Sequence, residues 1–255
     1  MEIFIIVWLG ILGAIMGSFL GCMGYRIPNK IKTTYPSSFC SNCRNPLKWY
    51  MNIPIISYIV QGGKCAYCKY EIEFLYFLNE ILGCGLFILN YALFKFTLPF
   101  FISTILTCVL LVTMVSDFKY YYISDRVLII SSIALLITFL VFLEPMDLLV
   151  RVISAVVLFL FMIGVKILGN GMFGKESLGD GDIKLMAVIA FAIGWLDSFV
   201  TLFFAAVIAL IFSAIKMLRN NEHMIPFGPF LIMGALLVTY FAQYIDPYLK
   251  MLFAL

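Results

Sequence analysis

Charged residues are scarce in this chain of 255 residues. Asp, Glu, Lys and Arg together make up 12% of it, whereas 64% of its residues are hydrophobic and the mean hydropathy is +1.07. A soluble domain of this length could not keep so much apolar surface away from water. The composition therefore predicts an all-α membrane protein that crosses the bilayer several times.

Histidine is nearly absent as well. The single one, His223, has no partner at ligand spacing, so the sequence gives no support to a histidine-based triad or metal site. No Lys or Arg precedes the first apolar run, residues 3–23, which is as long as a spanning helix. We therefore expect this run to be a retained span and not a cleaved signal peptide. Neither an internal repeat nor a low-complexity tract is visible.

The apolar runs predict eight transmembrane helices when each span takes about 17 to 25 residues. They lie near residues 3–25, 74–94, 98–116, 127–143, 148–168, 183–196, 199–217 and 228–247, and the sixth is short. In the first of them, Gly17 and Gly21 indicate a small-residue packing face.

The distribution of basic residues predicts the orientation of the chain. Of the 17 Lys and Arg residues, 14 fall in four of the connecting segments, namely 26–73, 117–126, 166–184 and 216–223. The positive-inside rule makes these segments cytoplasmic, and both termini then face outward.

Residues 26–73 form the one segment long enough to fold outside the helices. Within it, Cys40 with Cys43 and Cys65 with Cys68 form two CxxC pairs separated by 21 residues. Two such pairs supply four thiolates for a tetrahedral zinc site, and thiolates in the reducing cytosol hold metal more often than they form disulfides. We expect zinc in a structural role, because protein fills all four positions. The alternatives are two redox dithiols or an unbound loop.

Two acids stand at the ends of apolar runs on separate predicted helices. Asp117 closes the third helix, and Asp182 opens the sixth. Charged side chains near a bilayer core are costly and are usually kept for a function. Two neighbouring carboxyls in partly dry surroundings do not both ionise easily, so one takes a proton from water while the other donates one. Asp117 and Asp182 are therefore candidates for the catalytic pair of an aspartyl active site.

The residues beside Asp182 suit such a site. Gly179 and Gly181 would let the backbone approach closely at the helix entry, and an acid such as Asp180 or Asp182 gains there from the helix dipole. Lys184 follows within the first turn, where it could orient or neutralise a carboxylate.

Each acid also has an ordinary structural interpretation. Asp180 or Asp182 could be the N-cap of the next helix, and Asp117 could be a surface acid that pairs with Lys119. Asp125, just before an apolar run, is expected to be the N-cap of the fourth helix.

Glu80 lies about six residues into the second predicted helix. An acid at that depth needs a partner, water or a proton, so a functional role is favoured. The intramembrane acids would also suit an ion or proton transporter, although the chain shows no repeated halves. The CxxC pairs would also suit a membrane thiol oxidoreductase.

A series of motifs runs the length of the chain. They are Gly17-Ser18-Phe19-Leu20, Tyr25-Arg26-Ile27-Pro28, the four-cysteine segment with Asn52-Ile53-Pro54-Ile55-Ile56-Ser57-Tyr58, Asp117 with Asp125, Gly179-Asp180-Gly181-Asp182-Ile183-Lys184, and Ile225-Pro226-Phe227-Gly228-Pro229-Phe230. In this order they resemble the bacterial prepilin peptidases, or type IV leader peptidases, which are GxGD-type membrane aspartyl proteases. The family often has proline where this chain has Ser124.

The resemblance implies a bifunctional enzyme of the bacterial inner membrane with its active site facing the cytoplasm. It would cut the short basic leader of type IV prepilins or pseudopilins after a glycine, and then methylate the new amino terminus with S-adenosyl-L-methionine. Asp117 and Asp182 match the catalytic pair of the family, and Glu80 matches an acid associated with methyl transfer. The substrates could serve pili, secretion or DNA uptake.

The resemblance also implies a division of the chain. Residues 1–25 would be the first transmembrane helix, 26–73 a cytoplasmic zinc domain, 74–96 the second transmembrane helix and 97–255 the peptidase domain. The expected partners are the prepilin substrate and the lipid bilayer, with no nucleic acid. No nucleotide loop for the methyl donor is recognisable, so its site cannot be assigned to residues.

Overall fold

The computed structural model describes residues 1–33, 35, 37–174, 178–220 and 225–253. Over these residues the fold is helical, with two isolated β-bridges and no strand. His223 lies outside the described residues. The described helices are α1 (Glu2–Arg26), α2 (Ile56–Val60), α3 (Phe74–Phe94), α4 (Leu98–Tyr120), α5 (Asp125–Phe142), α6 (Pro145–Phe173), α7 (Asp180–Ile193), α8 (Trp195–Asn220) and α9 (Gly228–Phe253), with a 3-10 helix at Trp49–Asn52.

Six of the described helices are long and apolar enough to cross a membrane, namely α1, α3, α4, α5, α6 and α8. The predicted sixth helix corresponds to α7, which has 14 residues. At 1.5 Å per residue it spans about 21 Å, less than the hydrocarbon core of about 30 Å. The apolar part of α9, Gly228–Ala242, is also shorter. The chain is therefore an all-helical, multi-pass membrane protein.

α4 is the central helix of the bundle. Of its membrane-length window 67% is buried, against 17–28% for the other five long helices. It contacts α1, α3, α5, α7 and α9. Two of its threonine hydroxyls donate to carbonyls one turn earlier, Thr107 to Ser103 and Thr113 to Val109. The buried hydroxyl of Ser116 has no partner among the described residues. The most enclosed helix of the protein is thus the one that ends near Asp117.

α7 is an inner helix. It contacts α4, α5, α6, α8 and α9, and half of its residues are buried, namely Ile183, Leu185, Met186, Val188, Ile189, Ala190 and Ala192. At its end Gly194, with φ of +94°, turns the chain directly into α8. A residue with a side chain rarely adopts that conformation, so glycine is required there. The start of α7 is consequently held among its neighbours.

α1 and α3 pack through a seam of small residues. A Cβ atom at Gly13 would collide with the α3 backbone, and one at Gly17 would lie 2.8 Å from Cα of Glu80. Asn79 ties the seam to α4, because its amide donates to the carbonyls of Gly17 (3.0 Å) and Leu111 (2.9 Å). Close backbone contact of this kind stabilises helix pairs in lipid. The predicted packing face of the first helix is confirmed.

The segment between α1 and α3 contains two matching turns. The carbonyl of Cys40 accepts a hydrogen bond from Arg44, and that of Cys65 accepts one from Lys69, both at 3.0 Å. Arg44 and Lys69 also share a positive φ, at 61° and 59°. Arg26, buried at the end of α1, donates to three backbone carbonyls of the residues that follow. The segment is therefore anchored to the helix bundle at its start.

Candidate active site

Asp117 lies in the last turn of α4, and only 6% of its surface is exposed. Its Oδ2 atom accepts a hydrogen bond of 3.0 Å from the backbone N–H of Gly228, the first residue of α9. The first N–H groups of a helix lack partners within it, so a carboxylate is stabilised there. The interpretation of Asp117 as a surface acid paired with Lys119 is wrong, because Lys119 Nζ lies 2.7 Å from Glu73.

Asp182 lies in the first turn of α7 and is half-buried. Its Oδ1 atom is enclosed and has no hydrogen-bond partner within the part of the chain that the structure describes. Its Oδ2 atom would lie 3.2 Å from a Cβ atom at Gly179. The carboxylate of Asp117 acts on it electrostatically, so the two acids are neighbours although they belong to different helices.

Ile123, in the connection between α4 and α5, is the point on which two helix starts converge. A Cβ atom at Gly181 would lie 2.9 Å from Ile123 Cβ, and one at Gly228 would lie 2.8 Å from Ile123 Cδ1 and 3.1 Å from Asp117 Oδ2. Both glycine backbones therefore press on a single side chain. This contact brings the start of α7, with Asp182, and the start of α9 to the end of α4.

Two ion pairs brace the start of α7. Lys166 Nζ, on α6, lies 2.6 Å from Asp180, and Lys184 Nζ lies 2.8 Å from Asp125 at the start of α5. The carboxylate that Lys184 was expected to neutralise is thus Asp125. Both pairs are largely exposed at the carboxylate, so they orient the helix ends more than they stabilise the fold.

The N-caps of α5 and α7 are not the acids that the sequence suggested. The N-cap of α7 is Gly179, so Asp180 and Asp182 both lie in the first turn. The N-cap of α5 is Ser124, and Asp125 is the first helical residue, so the prediction that Asp125 caps this helix is wrong. An acid in the first turn still gains from the helix dipole. Asp182 is not used as a cap, and its Oδ1 atom keeps no hydrogen-bond partner among the described residues.

The four cysteines of the CxxC pairs come together. The sulfur atoms of Cys40, Cys43, Cys65 and Cys68 all lie within 4.8 Å of one another, and those of Cys40 and Cys68 are 3.8 Å apart. Zn–S bonds of about 2.3 Å in a tetrahedron put the sulfurs ~3.8 Å apart. Metal ligation needs the thiolate form of each cysteine. The donor set therefore fits one zinc ion.

Glu80 faces a cavity of about 740 Å³ between the cysteine segment and the adjoining ends of α1 and α3. Its Oε2 atom accepts a hydrogen bond of 2.7 Å from the N–H of Ile55, and the Ser18 hydroxyl also bonds to its carboxylate. Ile55 has φ of +65°, a conformation that β-branched residues rarely adopt. Glu80 therefore holds a strained turn at the wall of the cavity.

Two residues of the acid site received no role in the sequence interpretation, namely Gly228 and Ile123. Gly228 was noted only within a motif, and it precedes Pro229 at the start of an apolar run. Proline in the first turn is typical of a helix start, whose free N–H groups attract carboxylates. That signal could have pointed to Gly228, whereas Ile123 carries no comparable signal.

Comparison with known proteins covers nearly the whole chain. Residues 11–94 match the family model of the bacterial Peptidase A24 N-terminal domain, and residues 104–214 match that of the type IV leader peptidase family. The chain is 31% identical to the prepilin leader peptidase/N-methyltransferase of Bacillus subtilis (strain 168), over 94% of this chain and 96% of that protein. Proteins of the same name from Pseudomonas aeruginosa (30% identical; 87% of this chain, 85% of that protein) and Dichelobacter nodosus (28%; 93% and 92%) are also similar. No solved structure matches.

Proposed function

The chain belongs to the type IV leader peptidase family, and from this premise we propose how its residues divide the work of a prepilin leader peptidase and N-methyltransferase. Asp117 and Asp182 cleave the leader peptide of prepilins or pseudopilins. The cysteine segment and Glu80 serve methylation of the new amino terminus. The observation that carries the proposal is that the starts of α7 and α9 converge on Ile123 and so bring Asp182 near Asp117, which is bonded to Gly228. One oxygen of Asp182 is enclosed and has no partner among the described residues.

The two carboxyls have different surroundings, and these support different roles. Asp117 accepts a backbone hydrogen bond from Gly228, which favours its ionised form, so it begins as the base. It takes a proton from water, and the water oxygen attacks the scissile carbonyl carbon. Asp182 begins protonated and donates first to the carbonyl oxygen. Collapse of the intermediate then breaks the C–N bond. Asp117 gives the proton that it took from water to the leaving amine, and a hydroxyl of the intermediate returns a proton to Asp182.

The surroundings of the acids support a cytoplasmic location of the site. The end of α4 and the starts of α5 and α7 carry Lys119, Arg126 and Lys184, and the cysteine segment lies at the same end of the bundle. The positive-inside rule assigns such an end to the cytoplasm. We place the protein in the bacterial inner membrane with eight spans, α7 and α9 included, and with both termini outside. A substrate that keeps its basic leader in the cytosol would then present its scissile bond to the acids.

The proposed domain organisation follows from the same arguments. Residues 26–73 form a cytoplasmic domain in which the four cysteines hold one structural zinc ion. Residues 1–25 and 74–96 are the helices that frame it, and residues 97–255 form the peptidase domain. Gly179, Asp180, Gly181 and Lys184 support the start of α7. S-adenosylmethionine supplies the methyl group.

Co-expression with a prepilin and mass spectrometry of the product tests the assignment. The wild-type protein should remove the leader and add one methyl group. Asp117→Asn and Asp182→Asn should each lower leader removal by about 10²-fold or more, because a positioned acid or base contributes 10²–10⁴-fold. Asp147→Asn, at the exposed start of α6, is the matched control and should process normally. Normal processing by either of the first two variants, in membrane-inserted protein, would reject the pair.

A further inference from the structure

We propose that the cavity of about 740 Å³ between the cysteine segment, α1 and α3 is the binding site of the methyl donor, S-adenosylmethionine. The inference rests on the proposed methyltransferase function and locates the donor of that reaction in this cavity. The volume lies within the range of about 300 to 1,000 Å³ that is common for small-molecule pockets. Three separate parts of the chain form the walls, so the pocket depends on the fold and not on one loop.

The walls are rich in aromatic rings. Six of them are Tyr25, Phe39, Trp49, Tyr58, Tyr76 and Phe77. Tyr58 and Phe77 stack with ring centroids 4.4 Å apart and an angle of 14° between planes, which gives the cavity one flat aromatic surface. Aromatic faces attract cations and stack on heterocycles. The methyl donor carries a sulfonium ion and an adenine ring, so both of its halves suit these walls.

The charges on the walls favour a cation. Three acids line the cavity, and two of them already have partners, since Glu71 lies 3.9 Å from Lys64 and Glu73 lies 2.7 Å from Lys119. Glu80 bonds to a backbone N–H and a hydroxyl, and in the described ranges it forms no ion pair. Its charge is therefore free to attract a sulfonium or ammonium group. Arg26, also in the wall, donates to backbone carbonyls.

The cavity is adjacent to the acid pair. Lys119 lies two positions after Asp117 on α4, and its Nζ atom is 5.6 and 5.4 Å from the ring centroids of Tyr25 and Tyr76, two residues of the cavity wall. Lys119 also pairs with Glu73, a third residue of the wall. The cavity and the acid pair therefore lie at the same end of the helix bundle, where an amine released by cleavage is on the side of the donor.

Methyl transfer from the donor to the amine needs no further reactant. The neutral amine of the new terminus forms an N–CH₃ bond as the S–CH₃ bond breaks. The electron pair of that bond remains on sulfur, which leaves neutral S-adenosylhomocysteine, and the amine releases one proton to water.

Binding of S-adenosylhomocysteine to the purified full-length protein tests the location. Of the three tryptophans only Trp49 lines this cavity, so ligand binding should change its fluorescence, and Trp49→Phe should abolish that change. Equilibrium dialysis should show affinity weakened about tenfold or more in Glu80→Gln, as expected when a charged hydrogen-bond partner is lost. Trp49→Ala, at a side chain that is 80% exposed, should weaken binding without disturbing the fold. Glu144→Gln, exposed at the far end of α6, should bind like the wild type.

The outcomes separate failure of the location from failure of the function. If S-adenosylhomocysteine binds equally well to wild type, Glu80→Gln and Trp49→Ala, the donor binds elsewhere while the methyltransferase assignment stands. If it does not bind and a co-expressed prepilin loses its leader without gaining a methyl group, methyl transfer itself is refuted. Asp117→Asn should lose most of its leader cleavage and still bind the ligand normally. A response of Trp49 to a basic leader peptide but not to S-adenosylhomocysteine would make the cavity a peptide site and overturn the inference.

Discussion

Replacing Gly181 with alanine should slow leader cleavage while leaving the protein folded. The new Cβ atom would lie 2.9 Å from Ile123 Cβ, whereas ordinary contact begins at 3.4 Å, so it lacks about 0.5 Å of space. Ile123 Cβ is bonded to the backbone and cannot rotate away, so the start of α7 or the connection to α5 must move. Asp182 follows Gly181 directly and moves with it.

The displacement sets the size of the effect. A misplacement of about 1 Å at a catalytic group can cost ~10²-fold in rate. Half of that distance predicts a loss of about tenfold in kcat/KM, or ~1.4 kcal/mol of barrier. Alanine is favoured over glycine within a helix by about 0.8 to 1.0 kcal/mol, which offsets part of the strain. Activity should therefore fall further than stability.

The assay is the initial rate of cleavage of a purified prepilin, with thermal unfolding measured on the same samples. Gly85→Ala is the matched control, because a Cβ atom there has nothing within 4 Å. It should cleave at the wild-type rate. If Gly181→Ala also cleaves at that rate, or if both variants slow equally, the contact on Ile123 does not position Asp182.

Two further predictions concern the other half of the protein. Glu80→Gln should lose methyl incorporation into a co-expressed prepilin while leader removal continues, because Glu80 faces the cavity and not the acid pair. If both activities are lost together, Glu80 is a structural residue. Freshly purified, reduced protein should contain about one zinc ion per chain by metal analysis, and Cys68→Ser should lose the ion and lower Tm, because the free energy of metal binding contributes to folding. Wild-type protein free of metal would contradict the zinc assignment.

The positions of the long helices could be predicted because each is an apolar run long enough to cross a bilayer. Their ends could not be predicted as well. The fifth run was expected to stop at residue 168, before Gly169 and Gly171, yet α6 continues to Phe173. The sixth was expected at 183–196, yet α7 begins at Asp180 and ends before Gly194. Glycine is frequent within transmembrane helices, so its presence alone did not mark these ends.

The chemistry of the candidate site was accessible from the sequence, whereas its contacts were not. Asp117, Asp182 and the cysteines stand out because acids and CxxC pairs are rare in apolar sequences. The hydrogen bond from Gly228 to Asp117 joins residues 111 positions apart, and the pair of Lys184 with Asp125 joins residues 59 apart. No local periodicity encodes such separations. The cavity beside Glu80 likewise exists only once the segment between α1 and α3 has folded.

The seam between α1 and α3 limits which mutations of the gene can be tolerated. Every base change that replaces Gly13 or Gly17 introduces a Cβ atom, because no other residue lacks one. At Gly17 that atom would meet the backbone of Glu80 itself. A codon within the first apolar run, far along the chain from the cysteines and the acid pair, is therefore expected to tolerate only silent mutations. Deep mutational scanning should recover almost no viable alleles there, although the residue contributes no functional group of its own.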